Sequence, residues 1–181
     1  TFMSQFRGNG QHDAQEFLVS LLDNLHTSIS KEVNIKISGN PKNMKDRMIK
    51  ASMLSWKRYF KNSYSIITDF FYGEYHTNKT CTGCNRSIDR YEPFCTVDIN
   101  INSADTLEEC LKKYLSIEIM NPPDSIPCKK CGNVPTRSKV SFWKLPRLLI
   151  ICFKRFTNDG RKRNKLISFP MDNLMIGASL D

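Results

Sequence analysis

No stretch of the sequence approaches the ~18 uninterrupted apolar residues of a membrane-spanning helix, so no membrane partner is expected. The opening residues, TFMSQFRGNGQ, lack the charged start and apolar run of a secretory leader. Internal repeats and low-complexity segments are missing, which leaves an ordinary folded domain as the frame. An initiating methionine is missing as well, and the chain reads as an excerpt from a longer polypeptide. Nor is the cysteine count even. There are seven cysteines, and four of them form two C-x-x-C pairs. That suits thiolates held on a metal in a reducing compartment better than a secreted disulfide framework. A cytoplasmic or nuclear location is the expectation.

What is present is 181 residues, 40% hydrophobic and 25% charged, enough for one sizeable core or one domain with a subdomain. A net charge of +9 permits an acidic, membrane-surface or nucleic-acid partner without requiring one. The basic residues are spread along the chain and no aromatic-basic stacking pattern stands out, so a nucleic-acid partner is not expected. The densest basic run, Arg161 to Lys165, follows Asn158-Asp159-Gly160, a turn signal between two apolar runs.

The pattern along the chain is mixed. Phe17, Leu18, Leu21, Leu22 and Leu25 recur at helical spacing, predicting a helix from His12 to about Ser28. A turn-rich connection over residues 38–45 leads to a second helical region carrying Met48, Ile49, Met53, Leu54, Trp56, Tyr59 and Phe60. Periodicity then changes. Residues 65–80 and 90–102, rich in aromatic and β-branched side chains, read as two arms of a hairpin around the first cysteine pair. A short helix is expected from Leu107 to Ser116, capped by Asp105 or Thr106 with Glu108 or Glu109 three residues on. Two further strands are expected, RSKVSFWKL and RLLIICFKRF, the second apolar on both faces at its centre and so internal to a sheet.

The pairs Cys81/Cys84 and Cys128/Cys131 have the composition of one tetrahedral zinc site. Each C-x-x-C turn can wrap half of a four-sulfur shell, and Gly83 and Gly132 suit the sharp backbone path. Redox chemistry at these pairs lacks a thioredoxin-like βαβ context. With four protein ligands the metal has no open position for substrate, so it would be a structural staple, one zinc ion, that leaves the activity undecided. Cys95, Cys110 and Cys152 lie singly in apolar patterns and read as buried small hydrophobes.

The stretch GNGQHDAQEFLVSLLDNLH, from Gly8 to His26, resembles the glutamine-aspartate box of the ubiquitin-specific proteases, Q-Q-D-A-x-E-F-L, with His12 where Gln is commoner. The similarity continues in order through SIITDFFYGEYHTNKTCTGC, CKKCG, KLPRLLIICFKRF and ISFPMDNL. The resemblance implies an α+β, papain-like cysteine protease hand of thumb, palm and zinc-stapled β-strand fingers, present here as a partial domain. On that reading residues 1–64 are thumb helices, 65–137 mainly fingers with the four-cysteine site, and 138–181 palm strands. Asp13 and Glu16 match the acidic positions facing the ubiquitin tail, whose arginines suit carboxylate partners. Beside this stands a local reading of the same residues, in which Asp13-x-x-Glu16 ahead of an apolar run is a helix capping box.

In this family a cysteine attacks the carbonyl after ubiquitin's last glycine, with a histidine as base oriented by Asp or Asn. The cysteine belongs to an Asn-x-x-x-Thr-Cys type of segment ahead of the box, and the histidine follows the FP…L strand. None of the seven cysteines lies in such a segment, and His12, His26 and His76 fall elsewhere. No catalytic residue is therefore assigned within these residues. Hydrolysis of ubiquitin conjugates is expected of the full-length protein, with ubiquitin and ubiquitinated proteins as partners. The alternatives are a catalytically inactive, ubiquitin-binding scaffold, a zinc-ribbon nucleic-acid module and a purely structural role.

Overall fold

A computed structural model describes residues 4–102, 104–157 and 159–176. Helix α1 (Ala14–Ile29) starts where Asp13, in extended conformation, accepts hydrogen bonds from the N–H groups of Gln15 at 2.7 Å and Glu16 at 3.4 Å. These satisfy donors that an uncapped first turn leaves open. Helix α2 (Met44–Phe60) is capped in the same way by Asn43, whose side chain accepts from Asp46 N at 2.8 Å.

The predicted first hairpin arm divides in two. Residues Ile66–Phe71 form a helix, α3, and not strand. Ser65 Oγ accepts from Ile67 N at 3.1 Å while Thr68 Oγ1 accepts from Ser65 N at 3.4 Å, a reciprocal cap that outweighs the strand preference of Ile66, Ile67 and Phe70. Strand β1 (Gly73–Cys81) then follows. Only glycine fits at its first position, because a Cβ on Gly73 would lie 2.5 Å from Phe94 Cζ and 2.6 Å from Lys144 O.

The second arm also divides. Strand β2 (Ser87–Phe94) pairs antiparallel with β1, from Gly73 opposite Phe94 to Thr80 opposite Ser87. The chain bends at Cys95 and continues as β3 (Thr96–Asn100) in another sheet. Helix α4 (Leu107–Tyr114), the short strand β4 (Glu118–Met120), β5 (Thr136–Lys144) and β6 (Ile150–Lys154) follow. The larger sheet has the order β2-β1-β5-β4, all neighbours antiparallel, and the smaller pairs β3 with β6 in parallel.

Strand β6 was expected inside a sheet. Among the described residues its one strand neighbour is β3, and Ile150 to Phe153 are half-buried. Its apolar run marks faces suited to burial, which is a separate property from having a strand on each side. The deeper burial falls on β3, where alternate residues Val97 and Ile99 are at 0% exposure, packed with Leu107, Cys110 and Leu111 of α4, Phe142 of β5 and Ile167. Each such aliphatic or aromatic side chain stabilises the fold by about 1.5–3 kcal/mol relative to exposure. Thr106 is the cap of α4, accepting from Glu109 N at 3.2 Å, and Glu109 reaches back to Asp105 N at 2.9 Å.

The larger sheet is covered on both faces near its base. On the core side Tyr75 stacks on Phe94 at 4.1 Å and on Phe142 at 5.5 Å. On the other, Ser52 and Ser55 of α2 donate hydrogen bonds of 2.5 Å to Glu74 Oε2 and to the carbonyl of Tyr91. Its far end, where β1 finishes at Cys81, carries the cysteines.

Candidate metal centre and acidic helix start

The register of β1 and β5 explains how cysteines so far apart in sequence meet. Cys81 is the last residue of β1 and lies opposite Thr136, the first of β5. The turn after β1 and the loop before β5 therefore emerge side by side. The first turn closes through Asn85 N to Cys81 O at 2.9 Å and Cys81 N to Arg86 O at 2.9 Å, with Asn85 left-handed at φ 56°. In the second, Cys128 and Gly132 exchange hydrogen bonds of 2.9 and 2.8 Å, with Gly132 at φ 72°. Thr82 fastens the two together, its N–H and hydroxyl both donating to Pro135 O at 3.1 and 2.8 Å.

Cys81, Cys84, Cys128 and Cys131 converge so that their Sγ atoms all lie within 4.8 Å of one another, with Cys84 and Cys128 at 3.6 Å. A tetrahedron of sulfurs around zinc at ~2.3 Å has edges of about 3.8 Å, so this spacing fits a metal ion with little adjustment. The backbone N–H groups of Lys130 and Cys131 donate to Cys128 Sγ and pull its thiol down to about 6, favouring the thiolate that a metal requires. Gly83 matters sterically, since a Cβ there would come within 3.1 Å of Cys131 Sγ. The four cysteines could hold one metal ion, and among the described residues no further His, Cys, Asp or Glu joins the group.

The acidic pair at the start of α1 separates into two roles. Asp13 is the helix cap. Glu16, which a full capping box would fold back onto the Asp13 N–H, does not do so, and its exposed carboxylate has no hydrogen-bond or ion-pair partner among the described residues. Half of the capping reading is thus realised, and one carboxylate is left open.

Gln15, between them, was not singled out in the sequence, nor was Asp98. Gln15 Nε2 donates to Asp98 Oδ1 at 2.7 Å, fixing the start of α1 against β3. Asp98 lies opposite Cys152 in the β3–β6 register. Nothing in the sequence signals this pairing, because it depends on where β3 leaves the hairpin.

The remaining thiols are held neutral. Burial pushes Cys95 up to about 11, with Cys152 adding to it. Burial also raises Cys152, helped by Asp98 and Asp13, and raises Cys110, which is 1% exposed in the core. The histidines are engaged locally: His26 uses both ring nitrogens on Ser65 Oγ at 2.7 Å and Ser63 Oγ at 2.9 Å. His76 Nε2 meets Asp89 Oδ1 at 2.8 Å and His12 packs edge-on against Phe6.

Comparison with known proteins gives consistent matches. A family model described as Ubiquitin carboxyl-terminal hydrolase matches residues 1–180. Ubiquitin carboxyl-terminal hydrolase 4 of Eremothecium gossypii is 33% identical over 176 residues, a stretch covering 92% of this chain and 21% of that protein. Ubiquitin carboxyl-terminal hydrolase 2 of Homo sapiens is 28% identical over 183 residues, covering 96% of this chain and 30% of that protein. Among solved structures, a chain of the SAGA Ubp8/Sgf11/Sus1/Sgf73 DUB module bound to ubiquitin aldehyde superposes with a TM-score of 0.65 at 22% identity, over 93% of this chain and 33% of that chain. The chain thus spans between 21% and 33% of the length of these three matches. At that identity the structural match speaks to the fold.

Proposed function

This chain belongs to the ubiquitin carboxyl-terminal hydrolase family, and from that premise we propose that it is the central part of a cysteine-type deubiquitinase catalytic domain. The full-length protein would hydrolyse the peptide or isopeptide bond after ubiquitin's C-terminal glycine. This part supplies the ubiquitin-binding scaffold, with residues 1–64 as thumb, 65–137 as fingers and 138–181 as palm. The observation that carries the reading is the match along residues 1–180; the open carboxylate of Glu16, which by resemblance would face the ubiquitin tail, is consistent with it.

Asp13 and Glu16 would pair with arginines of that tail, since a carboxylate and a guanidinium form charge-assisted, often bidentate hydrogen bonds. Asp13 uses Oδ1 for both capping bonds, which leaves Oδ2 for a ligand. Cys81, Cys84, Cys128 and Cys131 would hold one structural zinc ion, which fixes the finger tip and takes no part in the chemistry. Thiolate ligands of this kind suit a reducing, cytoplasmic or nuclear setting.

The nucleophile would come from the full-length protein and not from Cys95, Cys110 or Cys152, whose thiols burial holds in the neutral form. The same observation supports the second reading, a ubiquitin-binding relative without activity. Hydrolysis of a ubiquitin–fluorophore conjugate by the full-length protein tests both. Turnover that iodoacetamide abolishes supports the enzyme; ubiquitin binding with no turnover replaces it with the scaffold.

A further inference from the structure

Beside the cysteine cluster the sheet tip carries a cavity of about 360 Å³. Its floor is apolar: Ile88 of β2, 47% exposed, faces Ile126 and Pro127 of the loop that leads into the second cysteine turn. Around it stand Lys79, Arg86 and Lys129, and no carboxylate lines the cavity. None of the three cations has an ion-pair partner among the described residues. The walls belong to different segments, the β1–β2 hairpin on one side and the loop before β5 on the other. The β1–β5 pairing and the two hydrogen bonds from Thr82 to Pro135 O hold them side by side, and Cys81 and Cys128 of the cluster line the cavity, one from each.

Three uncompensated positive charges around a concave apolar surface are unfavourable for an isolated chain and complementary to an anionic partner with an apolar projection. We propose that this cavity is the docking site of an acidic segment of a protein partner. One large apolar side chain of that segment seats on Ile88, Ile126 and Pro127, and flanking carboxylates pair with Lys79, Arg86 and Lys129. The Arg86 guanidinium can take a carboxylate in bidentate fashion. The chain's net charge of +9 draws such a segment in. A nucleic acid would satisfy the cations but leave the apolar floor uncovered, and no aromatic ring lines the cavity to stack a base. The site shares no residue with the acidic start of α1 and stands independently of the tail-binding reading.

Fluorescence anisotropy on the full-length protein tests the proposal. The probe is a fluorescein-labelled decapeptide with four glutamates on each side of a leucine-phenylalanine pair. Comparison probes are the same peptide with serines in place of that pair and a labelled DNA duplex of similar charge. Saturable binding of the first peptide is expected, weaker for the serine peptide, and reduced about tenfold by Lys79→Glu combined with Arg86→Glu. Ile88→Ser should lower the affinity for the leucine-phenylalanine peptide and leave the serine peptide unchanged. The proposal is overturned if the peptide does not bind, if the serine peptide or the duplex binds as tightly, or if the charge reversals leave affinity unchanged.

Discussion

Gln15 Nε2 donates a 2.7 Å hydrogen bond to Asp98 Oδ1 across 83 positions of sequence, joining the start of α1 to β3, whose Val97 and Ile99 are fully buried. Replacing Asp98 with Ala leaves the amide donor half-buried without an acceptor, at a cost of about 1–2 kcal/mol. Asp98→Asn keeps an acceptor and should cost less. Urea unfolding of the two variants measures the difference. Removing the Asp98 charge should also lower the Cys152 thiol somewhat, although burial is the larger cause of its raised value, so the thiol should react faster with a disulfide reagent in Asp98→Ala. Equal destabilisation by both variants, with no change in thiol reactivity, would show that the bond does not set the position of α1.

The cysteine cluster makes a sharper claim on stability. In Cys128→Ser the metal loses the ligand whose thiolate the Lys130 and Cys131 N–H groups favour, and binding free energy that is also folding free energy goes with it. A loss of about 2 kcal/mol or more lowers the melting temperature of a chain this size by about 4–8 °C. Elemental analysis should find one zinc per chain in the parent and in Cys152→Ser, and none in Cys128→Ser. Zinc absent from the parent, or retained in full by Cys128→Ser with an unchanged melting temperature, would refute the staple.

How much of this was legible in the sequence depended on the range of the interaction involved. The two C-x-x-C pairs declare themselves by local spacing, and their convergence needed only that β1 and β5 be neighbours. Helix α1 and its Asp13 cap were legible for the same reason, since cap and stripe fall within a few turns. Residues Ile66–Phe71 misled because a run of β-branched and aromatic side chains signals strand, whereas the Ser65–Thr68 cap that turns them into a helix is carried by two small polar residues. The bend at Cys95 sends β3 out of the hairpin to pair with β6, a choice that depends on the core Val97 and Ile99 share with Leu107, Leu111, Phe142 and Ile167, partners distant in sequence. The Gln15–Asp98 bond inherits that invisibility, as does the cavity beside Arg86, which exists only once the turn after β1 and the loop before β5 lie side by side.

Asp13 and Glu16 can be separated because one caps a helix and the other does not. Asp13→Ala removes cap and charge together and should cost about 1 kcal/mol of stability. Asp13→Asn retains an oxygen for Gln15 N and Glu16 N and should leave stability nearly intact. Glu16→Gln has no local partner to lose. If both carboxylates meet arginines of the ubiquitin tail, Asp13→Asn and Glu16→Gln should each lower kcat/KM for a ubiquitin–fluorophore substrate by about ten- to a hundredfold with unchanged unfolding curves, as loss of a charged hydrogen bond implies. Full activity in both variants would withdraw the tail-contact role and leave Asp13 as a cap alone.

Glu74 offers a test by pH. It is 1% exposed; Oε2 accepts from Ser52 Oγ at 2.5 Å, and Oε1 has no partner. Burial raises its carboxyl above the ordinary value, while the Ser52 hydrogen bond and the Lys144 charge pull the other way and lose. A carboxyl raised in the folded state binds its proton more tightly there than in the unfolded chain. Its contribution to stability is therefore full below the unfolded value and is lost as pH rises through the folded one. Glu74→Gln removes that titration while keeping an amide oxygen for Ser52. The melting temperature of the variant minus that of the parent should be most positive near neutral pH and should fall as the pH approaches about 4.3, the ordinary carboxyl value. Other groups titrate alike in both proteins and cancel in the difference. A difference that does not change between those limits would mean that the Glu74 carboxylate is charged in the fold at no cost, through water or a partner reaching Oε1.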